Sequence, residues 1–212
     1  MNSGGNSVSV LLGTATGTFG PKNDFIVGSF PQSVAIADVN RDGKPDLVVA
    51  NYSSDTVSVL LGKGNGTFKF KVDYATGVSP FMVSVGDVNH DGKLDLVVPN
   101  ANSDTISVLL GNGNGSFKPK ADFSTGVGPL ASAIADIDLN GNPDLVVANS
   151  TSNTMSVLAG NGDGTFLPKT DFAAGTFVGS LAVADVNNDG KPDVVTSSIS
   201  DKTASVLINT TP

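Results

Sequence analysis

One nine-residue string recurs at a fixed spacing: DVNRDGKPD from Asp38, DVNHDGKLD from Asp87, DIDLNGNPD from Asp136 and DVNNDGKPD from Asp185, each 49 residues after the last. A second string, SVSVLLG, TVSVLLG, TISVLLG, TMSVLAG and TASVLIN, keeps the same period from Ser7 through Thr56, Thr105 and Thr154 to Thr203. Aromatic residues hold phase too, with Phe19, Phe68, Phe117 and Phe166 in one set and Phe25, Tyr74, Phe123 and Phe172 in another. No insertion enters any repeat. A chain of this kind is an array of one supersecondary unit that buries its apolar faces against copies of itself.

Within a unit the pattern gives four short strands: A over Val34 to Asp38, B over Asp46 to Asn51, C over Thr56 to Gly62, and D near Lys71 to Ala75. The stretch from Gly62 to Phe68 has three glycines in alternate positions and reads as a tight hairpin between C and D. Four antiparallel strands in 49 residues describe one propeller blade, and the fold class expected is an all-β propeller. Composition agrees, because all 20 acidic residues are Asp, Glu is absent and Gly occupies 25 positions, which leaves few helix formers. The aromatic pairs are expected between neighbouring blades. The domain expected is a single propeller or propeller segment over 1–212, with partial units at 1–30 and 178–212 and full repeats at 31–79, 80–128 and 129–177.

In DVNRDGKPD the oxygen-bearing side chains fall at positions 1, 3, 5 and 9, with Gly at 6 for a sharp turn. The ligand set expected is Asp38, Asn40, Asp42, Lys44 and Asp46 in the first loop, and Asp87, Asn89, Asp91, Lys93 and Asp95 in the second. The third loop supplies Asp136, Asp138, Asn140, Asn142 and Asp144, and the fourth Asp185, Asn187, Asp189, Lys191 and Asp193. Position 7 (Lys44, Lys93, Asn142, Lys191) is expected to give its backbone carbonyl. Hard oxygen donors without His or Cys select Ca²⁺ over transition metals. An Asx-rich turn would use the same residues without a metal. Against that reading, the third loop exchanges Asn and Asp between positions 3 and 5 and so keeps three carboxylates. About four Ca²⁺, one per A to B loop, would bring the formal charge of −8 to zero.

Other chemistry is poorly provided for. There is no Cys, so thiolate metal sites and disulfides are out, and the single His, His90, stands at position 4 of a loop whose counterparts are Arg41, Leu139 and Asn188. Every Asp outside the loops also sits in repeat phase, so no unique acid and base pair remains, and catalysis is not expected. The acidic balance argues against nucleic acid, and no apolar run is long enough for a helical membrane span.

The DxNxDGxxD loops and their placement make the units resemble the FG-GAP or VCBS-type repeats of integrin α-subunit propellers and of many bacterial and fungal surface proteins. The resemblance covers nearly the whole chain. It implies an extracellular or cell-surface, Ca²⁺-stabilised propeller used for adhesion or for binding glycans or proteins, some members being lectins.

A binding surface should vary between repeats, and the B to C and D to A loops do. Phe30, Tyr52, Phe81 and Phe177 lie in those loops and are the expected rim of a site for a glycan or protein; seating the crossover against the next blade is the alternative role. The strand count leaves the assembly open. The chain starts with C and D strands (Ser7 to Leu12, Phe19 to Val27) and ends with A, B and C strands (Leu181 to Asp185, Asp193 to Thr196, Thr203 to Asn209). The N-terminal D strand would close a four-bladed ring, two copies would make an eight-bladed ring, or the chain is part of a larger propeller. Unpaired edges favour the last two, since exposed edges invite pairing. Asn51, Asn65, Asn114, Asn149 and Asn209 match the N-glycosylation pattern.

Overall fold

A computed structural model describes residues 1–211. After a 3₁₀ turn at Ser3–Gly5 come β1 (Ser7–Val10) and β2 (Asn23–Ile26), which pair with each other. Three complete four-stranded antiparallel sheets follow: β3 (Pro31–Ala37), β4 (Asp46–Asn51), β5 (Thr56–Leu60) and β6 (Val72–Ala75); then β7 (Ser84–Gly86), β8 (Asp95–Asn100), β9 (Thr105–Leu109) and β10 (Ala121–Ser124); then β11 (Pro129–Ala135), β12 (Asp144–Asn149), β13 (Thr154–Leu158) and β14 (Thr170–Ala173). A three-stranded sheet of β15 (Val178–Ala184), β16 (Asp193–Ser198) and β17 (Thr203–Leu207) ends the chain. Strands within each sheet lie in sequence order, the meander of a propeller blade.

Second strands of the three complete sheets read DLVVAN or DLVVPN rather than alternating polar and apolar residues. The packing explains this, because β4, β8 and β12 are buried along their whole length with a neighbouring blade on each face. Between the first two complete sheets, Val48, Ala50, Val57 and Val59 meet Val83, Leu96 and Val98. Equivalent clusters join the second sheet to the third, the third to the last, and the β1–β2 hairpin to the first complete sheet. Edge-to-face ring pairs cross three of these junctions, Phe25 with Phe68, Tyr74 with Phe117 and Phe123 with Phe166, at centroid separations of 5.1, 5.4 and 5.2 Å.

The ends of the array differ from its middle. β2 pairs with β1 and not with β17, so the N-terminal D strand does not complete the last blade. No apolar cluster among the described residues joins the first sheet to the last. Third strands stop at Leu60, Leu109 and Leu158, two residues short of the turn glycine, because Gly62, Gly111 and Gly160 meet Phe68, Phe117 and Phe166 only as isolated bridges.

Candidate metal loops and the opposite face

Each A to B loop is folded by its own side chains. In the first, Asp38 accepts hydrogen bonds from the amides of Asp42 and Gly43 at 3.1 and 2.8 Å, Asn40 from Asp42 at 3.0 Å, and Asp42 from Lys44 at 3.0 Å. The other loops repeat the bond from position 6 to position 1, with Gly92 donating to Asp87, Gly141 to Asp136 and Gly190 to Asp185 at 2.7 to 2.8 Å. They repeat the bond to position 3 as well, through Asn89, Asp138 and Asn187 at 3.0 to 3.1 Å. Position 5 (Asp91, Asn140, Asp189) accepts from the amide of Lys93, Asn142 or Lys191 at 2.7 to 2.9 Å. A carboxylate oxygen holding one amide keeps a free lone pair, so this pattern preorganises oxygens without exhausting them.

Position 9 brackets the loop to its own blade. Asp46, Asp95, Asp144 and Asp193 are fully buried, and each accepts an amide from its loop (Asp144 a second, from Asp138 at 3.3 Å) and one from a residue just after its third strand, at the C to D turn position. Asp95 takes Val88 at 3.0 Å and Gly111 at 2.7 Å; Asp144 takes Ile137 at 2.8 Å and Gly160 at 2.7 Å. Asp46 takes Val39 and Gly62, and Asp193 takes Val186 and Asn209. The glycine is required by crowding, since a Cβ on Gly111 would lie 2.2 Å from the Leu94 carbonyl oxygen.

Burial pushes the Asp46, Asp95 and Asp144 carboxyls up; their backbone amides oppose this, and the nearby loop aspartates Asp42 and Asp38, Asp91 and Asp87, and Asp138 respectively push the same way as burial. Raised in the fold, these groups hold protons more tightly there than in the unfolded chain. Their contribution to stability is therefore greatest below the ordinary carboxylate range and declines as pH rises through the elevated values. When deprotonated, each is a buried anion that a cation would relieve.

The third loop gathers charge most closely. Oxygens of Asp136, Asp138 and Asp144 lie within 4.8 Å of one another, and they range from half-buried through exposed to fully buried. Lys44 and Lys93 place their ammonium groups 3.3 and 3.0 Å from Asp42 and Asp91, whereas the third loop has Asn142 at that position. Three converging carboxylates beside amide and carbonyl oxygens form a donor set that fits a hard divalent cation. The loops also use a left-handed residue that sequence reading missed: Arg41, His90, Leu139 and Asn188 at position 4 have φ of 57 to 62°. Only His90 and Asn188 carry a compositional hint of that conformation. His90 is an exposed loop residue.

The B to C and D to A loops meet on the opposite face. Phe30, Tyr52 and Phe81 come together there, with Tyr52 centred 6.1 Å from Phe30 and 6.4 Å from Phe81. Asn102, which sequence reading did not single out, donates to the Tyr52 hydroxyl at 3.3 Å and to Ser79 at 2.9 Å. Phe177 lies in the loop just before β15 of the last sheet and forms no ring pair among the described residues. Phe30 and Phe177 both have left-handed backbones, φ 55 and 56°, at the position where the third repeat has Gly128. Beneath this face, Asn51 donates to Ser58 at 2.9 Å and Ser58 to Asp73 at 2.6 Å, a chain repeated by Asn100, Ser107 and Asp122 and by Asn149, Ser156 and Asp171. The repeat-phase aspartates of the fourth strands thus have a structural partner. Asn51 and Asn149 are fully buried, so neither is open to glycosylation in the folded chain.

A family profile described as the FG-GAP-like repeat matches residues 1–49, 38–98, 87–147 and 136–196. No curated protein matches the chain in sequence. Among solved structures, an Agrocybe aegerita lectin described as recognising non-reducing terminal N-acetylglucosamine superposes with a TM-score of 0.62 at 18% identity, over 97% of this chain and 58% of its own. A protein from Lactobacillus plantarum gives 0.67 at 17% over 98% and 65%, and a putative 6-phosphogluconolactonase from Bacteroides uniformis 0.73 at 13% over 97% and 61%. The chain spans less than two thirds of the length of each. At these identities the likeness is one of fold.

Proposed function

This chain belongs to the FG-GAP-like repeat family, and from that premise we propose that it is a calcium-stabilised recognition module working outside the cell or at its surface, with a glycan or a protein as ligand and no catalytic role. The convergence of Asp136, Asp138 and Asp144 carries the calcium reading. One ion per A to B loop would be held by the carboxylate and amide oxygens at positions 1, 3, 5 and 9, with the position 7 carbonyl. The ion supplies positive charge against the buried position 9 carboxylate.

Asp138 is the residue that separates a metal site from a turn. It is exposed, and Asn would keep its acceptor for the Asn140 amide. In chelator, Asp138→Asn should leave the melting temperature unchanged or slightly raised, because a like-charge contact is removed. In millimolar calcium the variant should lose one site's share of stabilisation, about 1.4 kcal/mol for a Kd of about 0.1 mM, or roughly 3–6 °C. Equal melting of variant and parent at every calcium concentration would count against the site.

Recognition is supported by the Phe30, Tyr52 and Phe81 ledge. A bulky residue held at positive φ is strained by roughly 1–2 kcal/mol, and strain kept at an exposed loop points to use. The fold likeness to a lectin directs the first screen to glycans. Phe30→Gly relieves the backbone while removing one ring, so melting should change by no more than a few degrees and binding on a glycan array should be lost. Undiminished capture by the variant would move the ligand site elsewhere.

A further inference from the structure

Neighbouring blades meet at their outer rim in a groove, and one groove is built unlike the next. Between β2 and the turn that follows β5, Phe25, Leu60 and Phe68 line a cavity of about 860 Å³. The junction after it, between β6 and the turn that follows β9, has the same walls one period on, Tyr74, Leu109 and Phe117, around a cavity of about 340 Å³. That second groove lies between two complete sheets, so a groove at this place belongs to the blade junction itself.

Three positions of the larger groove break the repeat. Phe70 stands where the other units have Pro21, Pro119 and Pro168, Lys63 where they have Thr14, Asn112 and Asn161, and Ile26 where they have Ala75, Ser124 and Ala173. All three line the same cavity. Phe70 is 100% exposed, so its ring adds no burial to the fold, and Ile26 is 75% exposed at a position that is exposed in every unit. Apolar side chains stabilise a fold by leaving water, and these two stay in it. The charges are as uneven. Asp24, the one carboxylate on the groove, is held by Lys22 at 2.7 Å, and Lys71 is taken by Asp73. Lys63 and Lys69 are exposed and form no ion pair among the described residues, which leaves local positive charge on a chain of net charge −8.

We propose that this groove is a docking site for an acidic peptide segment of a partner protein, with carboxylates facing Lys63 and Lys69 and a bulky apolar side chain entering between Phe68 and Phe70. A concavity of this size walled by aliphatic and aromatic side chains fits peptide side chains. The unpaired lysines supply orientation and faster encounter with an acidic partner. An anionic membrane fits less well, because lipid surfaces are bound through denser clusters of Lys and Arg and this groove carries Asp24 on its wall. The groove lies beside the C to D turn that Asp46 ties to the metal loop, away from the Phe30, Tyr52 and Phe81 ledge on the opposite face. The two surfaces are therefore separate, and each can be lost without the other.

Reversion to the repeat tests the site while sparing the fold, since each replacement already stands at the same place in other units. In calcium, a fluorescent peptide with a Leu-Phe centre flanked on each side by Asp should bind the full chain, read by anisotropy. Phe70→Pro and Lys63→Asn should each bind it about tenfold more weakly at an unchanged melting temperature. Added salt should weaken the binding, and a peptide with Lys in place of Asp should not bind. Absence of binding to the parent overturns the proposal, as does equal binding by parent and Phe70→Pro or equal binding of the Asp and Lys peptides. Sedimentation with phosphatidylserine vesicles that Phe70→Pro abolishes, without peptide binding, would also overturn it and assign the groove to a membrane.

Discussion

In excess chelator the protein should melt about 12–24 °C below its melting temperature in millimolar calcium. At about 1 mM free ion and a Kd of about 0.1 mM, a site that exists only in the folded chain adds roughly 1.4 kcal/mol, and four add about 6 kcal/mol. For a domain of this size each kcal/mol moves the midpoint by about 2–4 °C. The effect is large because the loops are loaded with like charge in every blade. Three carboxylates per loop, one of them buried at position 9, account for 12 of the 20 acidic residues. Calorimetry across a calcium series measures it. A midpoint indifferent to chelator would mean that the amide bonds within the loops suffice and that no ion is needed.

Removing one position 9 carboxylate should be about as damaging as losing all four ions. Asp95 is buried and holds the amides of Val88 and Gly111, which fasten the A to B loop and the C to D turn of the central blade together. Asp95→Ala strands both donors away from water, at about 1–3 kcal/mol each, and opens a small void, for a total of about 3–5 kcal/mol. That corresponds to a fall of roughly 6–20 °C. The fall should persist in chelator, which distinguishes this bracket from Asp138, whose effect should appear only with calcium. Urea unfolding of both variants, with and without calcium, reads the difference. A loss at Asp95 confined to calcium-containing buffer would show that the residue acts only as a ligand.

Some features of the site were legible in the sequence because they recur. Positions 1, 3, 5 and 9 of the loops, and the glycine at position 6, repeat without insertion, and the structure turns those residues into one loop. The second role of position 9 was not legible, because it needs Gly62, Gly111 or Gly160, which lie 16 residues away and had a sufficient explanation as turn glycines. Position 4 escaped notice because Arg and Leu do not advertise a left-handed backbone, and the hint from His90 and Asn188 is not shared by all four loops; the surrounding hydrogen bonds impose it. Among the loop aromatics, Phe30, Tyr52 and Phe81 converge while Phe177 stands apart, since the residue that donates its amide to the Phe177 carbonyl, as Tyr52 does to Phe30, is Ile199 and carries no ring.

The period by itself determined the blade, the strand order and the loop that gathers carboxylates, because an uninterrupted 49-residue repeat with alternating strand signals allows one local solution, used again in every copy. How the ends are treated was decided only by the tertiary structure. β2 has the same chemistry whether it pairs with β1 or with β17, and the choice depends on which neighbour is near in space. Local hydrogen bonding is blind to that choice; the apolar contacts of the β1–β2 hairpin with the first complete sheet make it.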